Sequence, residues 1–363
     1  MNNLRNEFLR EAENQGKSEK YKASILQYIT KLEDKHLPVI FDSHHLAFLL
    51  DMSYDDLNAL SLKRSAYYKY YTIRKRSEGR RRILAPFSNL KRIQRWILEN
   101  ILDKVETPEC VTGFVHGRSI FDNAKAHENK AYILKLDLKD FFESISSKRV
   151  YGLFISFGYG KQLSYDLARL CTTEIVEKKL QDLGDDERAC FDPLSAYEDG
   201  FLVQGAPSSP SIANKIAYKL DKRLKALADK HASTYTRYAD DITFSADRRE
   251  SLPSIDVVQR IIESEGFVLN SNKVGIYSNR NHQEVTGLLI DEHVRVPSRH
   301  KREILRHIHF CKRYGVKDHV NRVCPDKANF QQWLYGRICF VYSVEPEVGK
   351  KMFEEFDEID WFG

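Results

Sequence analysis

The chain predicts an α+β fold in which an antiparallel sheet is backed by helices. Three features of the sequence point to it. Tyr235–Tyr238 and Ile242–Ser245 are β-prone runs flanking the adjacent acids Asp240 and Asp241, which is the pattern of a hairpin turning at the acids. Tyr132–Leu136 is another apolar-rich strand, and it runs directly into Asp137. Elsewhere apolar residues recur at helical spacing, as in Leu90, Ile93, Ile97, Leu98, Ile101 and Leu102.

In chain order, residues 1–60 read as a helical extension, with Ile25, Tyr28 and Ile29 and then Leu46, Phe48, Leu49 and Leu50 as its apolar positions. Ser53 followed by Tyr54-Asp55-Asp56 has the form of a helix start. Tyr70–Ile73 and Arg81–Pro86 form a hairpin around the basic turn Lys75-Arg76-Ser77-Glu78-Gly79-Arg80. The long helix that follows carries Lys91, Arg92 and Arg95 opposite its apolar face. Residues 171–200 read as the end of a helix and then a surface insertion, because Gly184-Asp185-Asp186 and Phe191-Asp192-Pro193 carry turn chemistry. Ser208-Ser209-Pro210 opens a helix, capped by a hydroxyl residue, that continues through Ile212, Ile216, Leu220 and Leu224. Strands around Val285 and Gly287 close the central region, and residues 291–363 form two or three mostly helical segments. The expected domains are therefore 1–60, 61–290 with its acidic insertion, and 291–363.

A chain of 363 residues with 42% hydrophobic content can bury a substantial core. The N-terminus has no apolar signal core and no apolar run approaches membrane-spanning length, so a cytoplasmic protein without a membrane partner is expected. The six cysteines are scattered without a Cys-x-x-Cys pair, which suggests reduced thiols rather than a zinc site or disulfide framework. Net charge is only +5, but residues 61–104 hold thirteen Lys/Arg against three Asp/Glu, a local excess that calls for a polyanion. Residues 171–200 reverse the balance, with nine acids against three bases, and are not expected to lie against a nucleic-acid backbone.

Two acids on one tight turn repel each other unless a cation lies between them. Taken alone, an Asp-Asp turn is an ordinary exposed loop. Strand-like flanks and a further strand ending in Asp137 change that reading. Three carboxylates converging from two strands can hold hard divalent ions such as magnesium, which take oxygen ligands. A pair of such ions supports in-line displacement at phosphorus.

Asp137, the glycine-containing Gln204-Gly205-Ala206-Pro207-Ser208-Ser209-Pro210 and Tyr238-Ala239-Asp240-Asp241, in that order, closely resemble the motifs of reverse transcriptases of the right-handed palm-and-fingers architecture. The likeness extends from about Tyr71 to Ile290. Asn123-Ala124-Lys125-Ala126-His127 and Val285-Thr286-Gly287 narrow it to bacterial retron reverse transcriptases, and Trp333-Leu334-Tyr335-Gly336 with Phe340–Val344 resembles the short helical thumb of that group. The acidic stretch 171–200 departs from the pattern by its length.

The resemblance implies an RNA-directed DNA polymerase with two Mg2+ ions held by Asp137, Asp240, Asp241 and the main-chain carbonyl of Leu138. It implies Lys273 as a general acid toward pyrophosphate. Lys75 and the cluster Arg80-Arg81-Arg82, with Arg81 the best match, would clamp the triphosphate. Phe142 would exclude a ribose 2′-hydroxyl, with Phe141 or Phe142 a core residue if both lie on a strand. Gln204 and Gly205 would support the incoming deoxynucleotide at a close backbone approach. Asn123, His127, Val285, Thr286 and Gly287 would recognise a cognate structured RNA, with Arg299, Lys301, Arg302 and Arg306 adding phosphate contacts. His127 itself reads as a hydrogen-bonded structural group rather than a metal ligand.

The partners implied are that non-coding RNA, its DNA product, deoxynucleoside triphosphates and an effector protein encoded nearby. The product would be branched multicopy single-stranded DNA primed from a guanosine 2′-hydroxyl, made in defence against phage. A group II intron or diversity-generating reverse transcriptase is the nearest rival. The 73 residues after Ile290 are too few for a thumb with sizeable maturase and endonuclease domains. A non-catalytic RNA-binding scaffold would have no reason to keep three mutually repelling carboxylates.

Overall fold

The computed structural model describes residues 2–75, 79–280, 282–323 and 329–361. Arg76, Ser77 and Glu78 of the basic turn and Cys324 lie outside them. The chain divides into two compact units, each assembled from separate stretches: Met1–Glu109, Leu138–Arg223 and Gln259–Leu269 in the first, and Cys110–Asp137, Leu224–Val258 and Asn270–Gly363 in the second.

The first unit begins with helices Asn2–Asn14, Glu19–Glu33, Ser43–Leu49 and Tyr54–Leu62, the last three started by side chains of Ser18, Asp42 and Ser53 accepting main-chain N–H groups. The hairpin Tyr68–Arg74 and Arg80–Pro86 pairs in register from Tyr68 opposite Pro86 to Arg74 opposite Arg80. Behind it, helix Ser88–Asn100 buries Leu90, Ile93 and Ile97, and leaves Lys91, Arg92 and Arg95 exposed. Gln94, fully buried, donates to Tyr68 Oη and to the Leu170 carbonyl, both at 2.8 Å, and so ties hairpin, helix and the neighbouring helix Lys161–Cys171 together.

The acidic stretch begins where helix Lys161–Cys171 ends. It folds into short helices, Glu177–Leu180 and Asp185–Phe191, anchored by buried Leu180, Phe191 and Leu194. These apolar residues are too widely spaced to give a periodic signal among the turn residues. The stretch docks on the basic hairpin. Glu174 pairs with Arg64, Glu187 accepts from Arg80 at 3.1 Å and from Thr72 at 2.7 Å, and Phe191 stacks on Tyr70 with ring centroids 5.5 Å apart.

The helix expected through Leu224 is interrupted at Ala217, giving Ser209–Ile216 and Tyr218–Lys230. Ser208 precedes the first without a side-chain cap, since its own backbone is already helical.

In the second unit four antiparallel strands lie in the order Thr234–Tyr238, Asp241–Ala246, Tyr132–Asp137 and Gly275–Ser278. A smaller sheet, Gln283–Val285, Leu288–Ile290 and Val294–Arg295, leads into helices Ser298–Tyr314, Phe330–Val344 and Pro346–Asp357. Val285 and Leu288 share one apolar core with Ile304, Ile308, Leu334, Ile338 and Phe356.

Candidate active site

The three acids meet at one end of the four-stranded sheet. Ile133, Leu134 and Leu136 are buried, and the strand pairs with Asp241–Ala246 so that Asp137 stands directly opposite Asp241. Tyr238 pairs with Asp241, leaving Ala239 and Asp240 as a two-residue turn. Ala239 takes φ +56°, a left-handed conformation that favours glycine and costs an alanine about 1–3 kcal/mol.

Two groups hold this turn in place. Arg237 is wholly buried and donates from Nη1 to the Ala239 carbonyl at 2.9 Å. The segment before the turn is clamped by Cys110–Thr112, with Arg237 N–H donating to the Cys110 carbonyl at 2.8 Å and Thr112 N–H to the Arg237 carbonyl at 2.9 Å. Next in that segment, Gly113 leaves no room for a side chain, because a Cβ there would lie 2.6 Å from the Ala239 nitrogen.

Asp137 is 4% exposed, and both of its carboxylate oxygens are engaged. Asn270 Nδ2 donates to Oδ1 at 2.9 Å and Lys273 Nζ to Oδ2 at 2.7 Å. Burial works against the charge on Lys273, but its hydrogen bond to Asp137 and the charges of Asp137, Asp240 and Asp241 outweigh it and raise its pKa. Asp241 is pushed up to about 6, first by desolvation and then by Asp240 and Asp137, against the opposing pull of Lys135 and Lys273. Asp241 nevertheless keeps an exposed surface.

This donor chemistry fits a divalent cation. Three hard-oxygen groups share one sheet end, and after desolvation the charges of Asp240 and Asp137 add to the rise at Asp241 against the pull of Lys135 and Lys273. Among the described residues no group of three or more His, Cys, Asp or Glu side chains is arranged to hold a metal ion, so the fit is one of donor type. The positive charge on Asp137 is the Lys273 ammonium.

The remaining expected site residues fall into separate groups. In the first unit, the Gln204 carbonyl accepts from Leu84 N–H at 3.0 Å, on the strand that carries Arg81. Gly205, at φ +122°, lies so near that strand that a Cβ would come within 2.9 Å of the Leu84 carbonyl oxygen. Arg80 is tied to Glu187, and Arg82 to Asp140 and Glu143. Arg81 and Lys75 are exposed and form no side-chain ion pair among the described residues. Phe141 and Phe142 lie on a turn rather than a strand, and both are buried, at 3% and 9% exposure. Leu138 begins that turn, its backbone bridged to Leu269.

In the second unit, the side chains of Asn123 and His127 point inward, at 1% and 0% exposure. Asn123 accepts from Thr112 at 2.8 Å, and His127 lies 2.7 Å from both Ser245 Oγ and Thr236 Oγ1. Burial holds the His127 pKa down to about 3, so it is a neutral structural group, and direct contact of these two side chains with RNA is not what this arrangement offers. Val285 is also buried, whereas Thr286 and Gly287 form a turn with φ +48° and +83°. Thr286 Oγ1 donates to the Ile120 carbonyl at 3.1 Å, so the two segments, distant in sequence, adjoin in space.

On helix Ser298–Tyr314, Arg299, Arg302 and Arg306 are exposed at intervals that place them on one side. Lys301 is instead paired with Glu345 at 2.8 Å. Asn270, Arg237 and Gly113 are absent from the residues expected from sequence. Asn270 opens the Asn270-Ser271-Asn272-Lys273 segment and could have been singled out with Lys273, whereas the contacts of Arg237 and Gly113 have no sequence signal.

Residues 73–304 match the family of reverse transcriptases, RNA-dependent DNA polymerases, and the chain belongs to that family. Within it the chain is a retron reverse transcriptase, an RNA-directed DNA polymerase with the right-hand fold of helices and antiparallel sheet. It is 32% identical to the retron Ec86 reverse transcriptase of Escherichia coli over 91% of this chain and 93% of that one. To the retron Mx162 reverse transcriptase of Myxococcus xanthus it is 34% identical, over 82% of this chain and 61% of that one. The retron Ec83 reverse transcriptase of Escherichia coli is 30% identical over 85% of this chain and 93% of its own. The family works with divalent metal ions, an RNA template and nucleotide substrates. No helix among the described residues is long and apolar enough to cross a membrane.

Proposed function

We propose that this enzyme copies its own cognate structured RNA from the 2′-hydroxyl of a guanosine in that RNA, and so makes branched multicopy single-stranded DNA. The observation that carries the catalytic part is the register that sets Asp137 opposite Asp241, with Lys273 on Asp137. In this reading Asp137, Asp240, Asp241 and the Leu138 carbonyl hold two Mg2+ ions, which when bound supply positive charge to the attacking oxygen and the leaving pyrophosphate.

The chain's own groups do the rest. Lys273, protonated because its pKa is raised, gives its proton to the departing pyrophosphate. Arg81 and Lys75 bind the triphosphate, Gln204 and Gly205 seat the nucleotide, and Phe142 packs beneath its sugar. Arg299, Arg302 and Arg306 meet RNA phosphates, while Lys301 braces the helices. Asn123 and His127 brace their own segment through Thr112, Ser245 and Thr236, and the adjoining turn of Val285, Thr286 and Gly287 meets the RNA. Residues 61–290 serve as fingers and palm, residues 291–363 as the thumb, and residues 1–60 as an extension. The enzyme works in the cytoplasm, in antiphage defence with an effector encoded nearby.

Nucleic acid co-purified after expression with the flanking genomic sequence tests this. An RNA–DNA species that separates only after treatment with a debranching enzyme is expected. Purified enzyme that extends primers yet carries no such species would refute the branched product and leave the polymerase standing.

A further inference from the structure

The basic excess of residues 61–104 is spent in two different ways. Part of it is neutralised within the first unit: Arg64 by Glu174, Arg80 by Glu187, and Arg82 by Asp140 and Glu143. The outward side of helix Ser88–Asn100 is different. There Ser88, Lys91, Arg92, Arg95, Trp96 and Glu99 line a concavity of about 400 Å³. Arg92, on the same lining, donates to the Leu50 carbonyl at 2.6 Å. Lys91 and Arg95 are exposed and, among the described residues, form no ion pair. One helical turn apart, they line the same hollow as the half-buried Trp96. The helix starts at Ser88 without a side-chain cap, and Ser88 lines the same hollow.

Two unneutralised cations beside a partly exposed aromatic ring match the alternation of phosphate and base in an unpaired strand. Stacking on an aromatic face and salt-sensitive phosphate contacts are how single strands are held. We propose that this face of helix Ser88–Asn100 binds single-stranded RNA, one base stacking on Trp96 with the adjoining phosphates on Lys91 and Arg95. An acidic protein could use the cations but would leave the indole without a flat partner. The site lies apart in sequence from the catalytic acids, and the inference rests on the enzyme's use of RNA.

The test is fluorescence anisotropy of a short labelled oligoadenylate with the full chain at several salt concentrations. Lys91→Ala and Arg95→Ala should each make the log–log dependence of Kd on salt shallower by about 0.7. Trp96→Ala should weaken binding roughly 5- to 150-fold without changing that slope, and Trp96→Phe should recover most of the loss. Because Lys91 and Arg95 are exposed, a melting curve should match wild type in both variants. A Lys91→Ala/Arg95→Ala protein that kept both wild-type affinity and wild-type slope would overturn the proposal, including by leaving the face to a protein partner. Asp240→Asn should bind the oligonucleotide as wild type does while failing to extend primers, so an error in the catalytic assignment reads out separately.

Discussion

Asn270 holds Asp137 twice. Its side-chain amide donates to Oδ1 at 2.9 Å and its main-chain N–H to the Asp137 carbonyl at 2.8 Å, so carboxylate and backbone are fixed by one residue. Asn270→Leu would free the carboxylate to rotate while leaving all three acids in place. Groups that orient metal ligands are worth roughly 10- to 100-fold in metal affinity. Manganese titration followed by electron paramagnetic resonance should show a loss of that size, with polymerisation recovered at high metal concentration. Unchanged manganese affinity would reduce Asn270 to a packing residue.

Asp241 gives the metal-free protein a stability that depends on pH in a definite direction. Its folded pKa, about 6, exceeds the ordinary 3.8, so the folded state binds the proton more tightly than the unfolded state does. The favourable contribution is present below about pH 4 and is lost as pH rises through 6. Asp241→Asn should therefore melt higher than wild type at pH 8 in chelator, by on the order of 1–3 °C given the exposure of the residue. The two should coincide near pH 4. Added magnesium should raise the wild-type melting point and leave the variant nearly unmoved.

Gly113 and Ala239 are packed so closely that the turn depends on the missing side chain. A Cβ at 113 would sit 2.6 Å from the Ala239 nitrogen and 3.0 Å from the Tyr238 backbone, which cannot swing aside as a flexible side chain would. Gly113→Ala should cost about 1–3 kcal/mol of stability by overpacking. It should also lower kcat at least tenfold with little change in nucleotide KM, because the displaced group is the catalytic turn. Equal kcat in a folded Gly113→Ala enzyme would argue against this coupling.

How legible was this site? The strands and the three acids can be read because burial on a sheet leaves a repeating pattern and acids at strand ends interrupt it, as at Leu136-Asp137 and Tyr238–Asp241. The supports cannot, since Gly113, Arg237 and Asn270 act through contacts between distant stretches, and a single glycine or arginine has no period. The acidic stretch shows the same limit. Its charges dominate the composition, while Leu180, Phe191 and Leu194, which fold it down, are isolated among turn residues. Side-chain direction is hidden too: Arg80, Arg81 and Arg82 look equivalent in sequence, yet pairing with Glu187 and Asp140 leaves Arg81 exposed.

Phe142 offers a test of sugar selection that also reads packing. It is buried against Phe141, ring centroids 5.4 Å apart, so Phe142→Ala should destabilise the fold by about 3–5 kcal/mol. At a temperature where the variant remains folded, it should incorporate ribonucleotides more readily relative to deoxynucleotides than wild type does. Continued rejection of ribonucleotides would assign Phe142 to the core alone.

Lys273 has two separable roles on Asp137, as a counter-charge and as a source of a proton. Lys273→Leu removes both and should lower kcat by about 10²- to 10⁴-fold. Lys273→Arg retains a cation that can reach the same carboxylate, but a guanidinium stays protonated in proteins and is a poor donor to a leaving group. If the proton matters, the arginine enzyme should be as slow as the leucine enzyme while keeping wild-type manganese affinity, and the alkaline limb of the pH–rate profile should vanish in both. In the metal-free protein the hydrogen bond to Asp137 and the charges of Asp137, Asp240 and Asp241 hold the pKa of Lys273 above its ordinary value. An arginine enzyme with near wild-type kcat would show that charge on Asp137 is all that Lys273 supplies, and pyrophosphate would then have to take its proton from solvent.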